Sequence, residues 1–122
     1  MLFRSGRTLP AVDLAVGAAT VTVTPMMAVL TEAILTFFLV NCVLNAAVSG
    51  KAGNLAGVAI GLTLTFSILV GGPLTGGSLN PARSIGPAVA LADFGGLWIY
   101  LVGPALGAGL AALLYRVWLQ DA

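Results

Sequence analysis

Histidine is absent from this 122-residue sequence, and cysteine occurs once, at Cys42. Together these exclude disulfides, thiolate metal sites and an imidazole base. Charge is almost as sparse: 7% of residues are charged, where a soluble domain carries about a quarter. The four acids, Asp13, Glu32, Asp93 and Asp121, are scattered, so no carboxylate pair stands ready for acid–base work. The net charge is +1 and no Lys/Arg cluster exists, which excludes a basic face for nucleic acid. With no activated nucleophile visible either, neither an enzyme nor a bound metal or cofactor is expected.

What the sequence has in excess is apolar length: 59% of its residues are hydrophobic. A chain of this size makes one domain or less. Three runs, 26–48, 54–72 and 97–117, are long enough to cross a bilayer, which takes roughly 20 residues. Glu32 is the only charge in the first run, the second has none, and Arg116 closes the third. Pro25 stands where a helix-starting proline belongs, and residues 49–53 (Ser-Gly-Lys-Ala-Gly) read as a short turn. Residues 1–25 read as a surface loop rather than a signal peptide. Arg4 and Arg7 supply a charged start, but Asp13 interrupts the apolar stretch behind them.

Between the second and third runs the pattern changes. Residues 71–79, GGPLTGGSL, hold four glycines and a proline, which predicts irregular backbone. Asn80-Pro81 then reads as a helix start, with Asn as N-cap and Pro in the first turn. The run 82–91 carries two or three turns, with Pro87 a limit or a bend. That is about 15 Å, half a bilayer rather than a full crossing. Residues 73–91 therefore read as a re-entrant loop and half-helix. Irregular backbone survives at membrane depth only when buried in protein or lining a water-filled cavity, so a cavity is implied. The expected fold is an all-α integral, multi-pass membrane protein with three transmembrane helices and one re-entrant half-helix, in a cell or inner membrane. Glycines at 53, 57 and 61, and at 103 and 107, recur at four-residue spacing and predict close-packing helix faces.

Asn80-Pro81-Ala82-Arg83 is the sharpest local feature. Asn80 would sit at the positive end of a half-helix, capping it with its carbonyl while its NH2 donates to a passing oxygen. Arg83 follows one turn later. It is either a functional charge held at membrane depth or an interfacial side chain that snorkels to the surface. Asn41 and Asn45 share a helix face and are expected to bond to a neighbouring helix, with pore lining as the alternative. Cys42 is expected to pack.

Residues 76–88, Gly-Gly-Ser-Leu-Asn-Pro-Ala-Arg-Ser-Ile-Gly-Pro-Ala, resemble the second signature loop of the aquaporins, the major intrinsic protein family. Thr31-Glu32-Ala33 with Leu35–Leu39 resembles the start of the family's fourth helix, Gly61-Leu62-Thr63 its fifth, and Trp98-Ile99-Tyr100 with Gly103-Pro104 its sixth. The resemblance covers nearly the whole chain and implies the second of two inverted repeats. It implies that Asn80, Pro81 and Ala82 form the pore-centre motif and that Arg83, Ile68 and Gly77 belong to the selectivity filter. Glu32 would be the buried acid that accepts backbone N–H groups of the loop. Ile68 and Gly77 replace the His and Cys of strict water channels, which widens the filter and raises glycerol, urea or ammonia as solutes beside water. Ser84, Ala88 and Tyr100 look water-type, while Leu101 does not.

One repeat cannot close a pore, so a partner besides membrane lipid is implied. With three spans the termini lie on opposite faces. Arg4 and Arg7 then balance Lys51 and Arg116, leaving no excess to set one orientation. Two copies inserted oppositely would form an antiparallel homodimer around one pore. The alternatives are a complementary chain supplying the N-terminal half, or a truncated, non-conducting interaction protein.

Overall fold

The computed structural model describes residues 12–16 and 19–119. Arg4, Arg7 and Asp121 lie outside the described residues, so the charge balance drawn from the first two has no structural counterpart. Ahead of the first long helix, β1 (Val12–Val16) and β2 (Ala19–Val23) pair antiparallel, with Val12 opposite Val23 and Val16 opposite Ala19. The reading of 1–25 as a plain loop is corrected over this part. The Thr/Val alternation of residues 20–23 suits a pleated strand, because β-branched side chains fit that surface.

Among the described residues after β2, the chain is helical apart from short connections. Helix α1 (Pro25–Val43) starts at Thr24, whose hydroxyl accepts from Met27 N at 3.3 Å, with Pro25 in the first turn. It runs on through a π-helical turn, Leu44–Val48, to a tight connection with positive φ at Gly50 and Gly53. A short 3-10 turn (Gly53–Leu55) leads into α2 (Ala56–Thr75). Helix α3 (Pro81–Leu91) is the half-length helix, and α4 (Leu97–Leu114) continues as a π-helical turn through Leu119. Three helical stretches, Pro25–Val48, Gly53–Thr75 and Leu97–Trp118, are long and apolar enough to cross a membrane, as the sequence predicts.

One boundary differs. The helix does not stop at Gly72: it passes through Gly71, Gly72 and Pro73 and ends only when Gly76 turns left-handed at φ 87°. Glycine and proline break helices in water, but a packed membrane helix tolerates them because neighbours compensate the freed backbone groups. Gly71 here is such a packing position, since a Cβ on it would overlap Leu35 Cδ1 of α1. The irregular segment shrinks to residues 76–80. Pro87 likewise neither ends nor shortens α3, which runs to Leu91 and a left-handed Ala92.

Helix α1 packs along α4 through Gly103 and Gly107. A Cβ at Gly103 would come within 2.8 Å of Glu32 Cβ and 2.9 Å of Val29 O, and one at Gly107 would overlap Ala33 O. The small residues thus let two backbones touch. The core lies at one end of this seam, where Val23, Ala28, Val29, Ile99 and Tyr100 meet Leu74. It fixes the entry to α1, the end of α2 and the start of α4 relative to one another, and the 76–80 segment springs from that place.

Candidate functional site

The turn that carries the signature motif is held from α1. Glu32 is fully buried. Its Oε1 accepts from Ser78 N at 2.9 Å and from the Thr75 hydroxyl at 2.6 Å, and its Oε2 accepts from Leu79 N at 2.8 Å. A buried carboxylate is costly unless hydrogen-bonded on both oxygens, and three donors meet that need here. Four residues along α1, the Thr36 hydroxyl donates to Leu79 O at 3.4 Å. Both backbone groups of Leu79 are therefore taken by α1 side chains. That accounts for a non-glycine residue at φ 54°, a conformation that costs of order 1 kcal/mol and persists only where its surroundings over-determine it.

The next residue starts α3. Asn80 is extended (φ −148°, ψ 119°), and its Oδ1 accepts from Ala82 N at 3.0 Å, closing the N-cap. Pro81 in the first turn has no N–H to satisfy. Because the cap uses the side-chain oxygen, the Nδ2 amide is the group left to donate outward. Asn80 is exposed and, with Pro81 and Leu79, lines a groove of about 380 Å³. Thr36, Leu39, Val40 and Val43 of α1 and Pro104, Ala105 and Ala108 of α4 complete much of its wall. Donors at a helix N-terminus in an otherwise apolar groove will orient an oxygen-bearing neutral molecule. The seat is further tied by Ser78 Oγ, which donates to Asn80 O at 2.9 Å and lies 2.7 Å from Ser84 Oγ on α3.

The remaining expected residues fall in two groups. Ile68 and Gly77 are neighbours: a Cβ built on Gly77, which sits at φ 57°, would meet Ile68 Cα at 3.4 Å and Ile68 Cγ1 at 3.7 Å. Ala82 and Arg83 stand in the first turn of α3 with exposed side chains, so the single chain leaves that guanidinium open to whatever lies beyond it. The Asn pair is corrected. Asn45 Nδ2 donates to Asn41 Oδ1 at 2.6 Å and to Asn41 O at 2.9 Å, a bond between the end of α1 and the π turn that continues it rather than to another helix. The π turn beginning at Leu44 widens the helix where this bond closes. Cys42 is a free, half-buried thiol.

Sequence reasoning missed Thr75, Leu79, Thr36 and the hydroxyl of Tyr100 as parts of this site. Tyr100 Oη donates to Thr75 O at 2.7 Å, and Gly77 N donates to Thr75 Oγ1 at 3.2 Å. The only signal was polarity: Thr36 and Thr75 are hydroxyls inside apolar runs, and buried hydroxyls need partners.

A buried acid gripping a strained turn, and a capped Asn-Pro-Ala start of a half-length helix, now stand together with a match to the family model for major intrinsic proteins over residues 4–115. The chain belongs to the major intrinsic protein family. Among similar proteins, aquaporin TIP2-2 of Zea mays is 50% identical over 95 residues, 75% of this chain and 38% of that protein. Aquaporin TIP2-1 of Arabidopsis thaliana is 53% identical over 90 residues, 71% of this chain and 36% of that protein. Nodulin-26 of Glycine max is 44% identical over 95 residues, 77% of this chain and 35% of that protein. The chain therefore matches little more than a third of the length of these relatives. Family membership and the three apolar helices make it an integral, multi-pass membrane protein.

Proposed function

We propose that this chain is a subunit of a passive membrane channel for water and small neutral solutes, its pore completed by antiparallel homodimerisation. The observation that carries the reading is Asn80: its side-chain oxygen is taken by the cap of α3, and the residue lines an otherwise apolar groove. In such a channel Asn80, Pro81 and Ala82 form the pore centre, and the positive end of α3 turns the oxygen of each permeant toward itself. The same positive end, with Arg83, disfavours cations and a proton wire, a mechanism for which aquaporin-type pores are the standing example. Ile68 and Gly77 form an apolar edge of the filter, with room for glycerol, urea or ammonia. Glu32 acts by holding the turn, not by touching the permeant.

A second copy inserted the other way supplies the missing wall, and its Asn80 faces the first. The competing reading, a complementary chain bearing the N-terminal half, draws support from the unmatched length of the relatives.

Stopped-flow osmotic shrinkage of liposomes holding only this chain tests the proposal, with Asn80→Asp alongside. Asp is as good an N-cap as Asn, so the variant keeps the cap while replacing the amide donor with a carboxylate that only accepts. Fast shrinkage abolished by the variant supports a self-completed pore. Shrinkage at the rate of empty liposomes, with folded protein, overturns it and leaves the complementary half or a non-conducting role. A tag at residue 1 should then be found on both faces of the membrane; labelling from one face alone would exclude the antiparallel pair.

A further inference from the structure

Thr75 is the last residue of α2, almost fully buried, and every polar group past its amide is engaged outside the helix's own ladder. Its hydroxyl donates to Glu32 Oε1 at 2.6 Å, with Gly71 O a longer alternative at 3.3 Å, and accepts from Gly77 N at 3.2 Å. Its carbonyl belongs to the last turn of the helix, whose carbonyls have no partner within the ladder. In a water-poor interior that carbonyl needs a donor, and the buried Tyr100 of α4 supplies one through its hydroxyl at 2.7 Å. One residue thus ties α1, α4 and the signature turn at a single point. The left-handed Gly76 follows at once, so the direction in which residues 77–79 leave α2 is set by how Thr75 is held. Gly77, just past the end of α2, in turn lies against Ile68, nine residues earlier on that helix.

We propose that Thr75 and Tyr100 are positioning residues: their hydroxyls fix the end of α2 so that the amides of Gly77, Ser78 and Leu79 and the Ile68–Gly77 edge keep their places. The pair acts through the turn and touches no permeant. Its effect on permeation rests on the channel reading above, but its effect on the turn does not, and the two are measured separately.

The test is residue-resolved amide hydrogen exchange on the purified chain in lipid micelles, comparing Thr75→Val, Thr75→Ser and Tyr100→Phe. Thr75→Val keeps the shape and removes the hydroxyl. It should speed exchange at Gly77, Ser78 and Leu79 by about tenfold or more, the equivalent of one lost charge-assisted hydrogen bond. Tyr100→Phe should give a smaller acceleration at the same amides, on the order of a few-fold, as a neutral bond is lost. Thr75→Ser should restore the original rates, and exchange within α1 and α4 should stay unchanged in all three. Unchanged rates at residues 77–79 in both Thr75→Val and Tyr100→Phe would overturn the proposal. So would uniform acceleration across every helix, or failure of Ser to rescue. In conducting liposomes the same variants should raise the solute-to-water permeability ratio, as a loosened edge passes larger molecules. If no liposome conducts, the exchange result still stands and the channel reading alone has failed.

Discussion

Two glycine faces with the same four-residue spacing behave differently in this molecule. On α4, Gly103 and Gly107 bring the helix against the backbone of α1, leaving no room for a Cβ. On α2, Gly57 and Gly61 have nothing within 4 Å of where a Cβ would stand, and Val58, Leu62, Phe66 and Leu69 around them are exposed. Spacing permits close approach but does not choose the partner. The α1–α4 seam is complete within one chain and carries the acid that holds the signature turn. The α2 face is finished only by lipid or by another protein surface.

Adding one methyl group at graded positions breaks this comparison most directly. Gly107→Ala should be the most damaging, because the new Cβ overlaps the Ala33 carbonyl and a backbone cannot rotate aside. A loss of about 3 kcal/mol or more is expected in reversible unfolding in mixed micelles. Gly71→Ala meets the tip of Leu35, a side chain that can change rotamer, so a smaller loss of about 1–2 kcal/mol is expected by the same measurement. Gly61→Ala meets nothing and should range from neutral to about 1 kcal/mol stabilising, since Ala is the better helix former. The last variant also sharpens the comparison. If the α2 face is buried between copies, Gly61→Ala will lower cross-linking yield between chains while leaving the unfolding of each chain untouched.

These variants also mark what could be read before the fold was known. The three spans and the cap at Asn80 were legible because each is a local rule: apolar length, and a short polar side chain before Pro; the hold of Glu32 on the turn was implied only by the family resemblance. The end of α2 was not legible. Gly71, Gly72 and Pro73 read as breakers by rules that hold in water, whereas here Leu35 packs on Gly71 and Glu32 and Tyr100 anchor Thr75. The Asn41–Asn45 bond was misdirected for a different reason. Their shared face was legible, but at four-residue spacing two amides can also satisfy each other within one helix, as they do here.

By itself, then, the sequence determined that this protein lives in a membrane, that it has three helices long enough to cross one, and that a short capped helix starts at Asn80. Those outcomes follow from transfer free energies and capping, which depend on residue type and near neighbours. The tertiary structure decided where α2 ends, which glycines become contact points, and how Leu79 is held in a left-handed conformation. Those depend on donors and acceptors far apart in the chain, such as Glu32 and Leu79, separated by 47 residues. No local rule can pair them, because the need of each buried group is fixed by its chemistry but its partner is fixed only by packing.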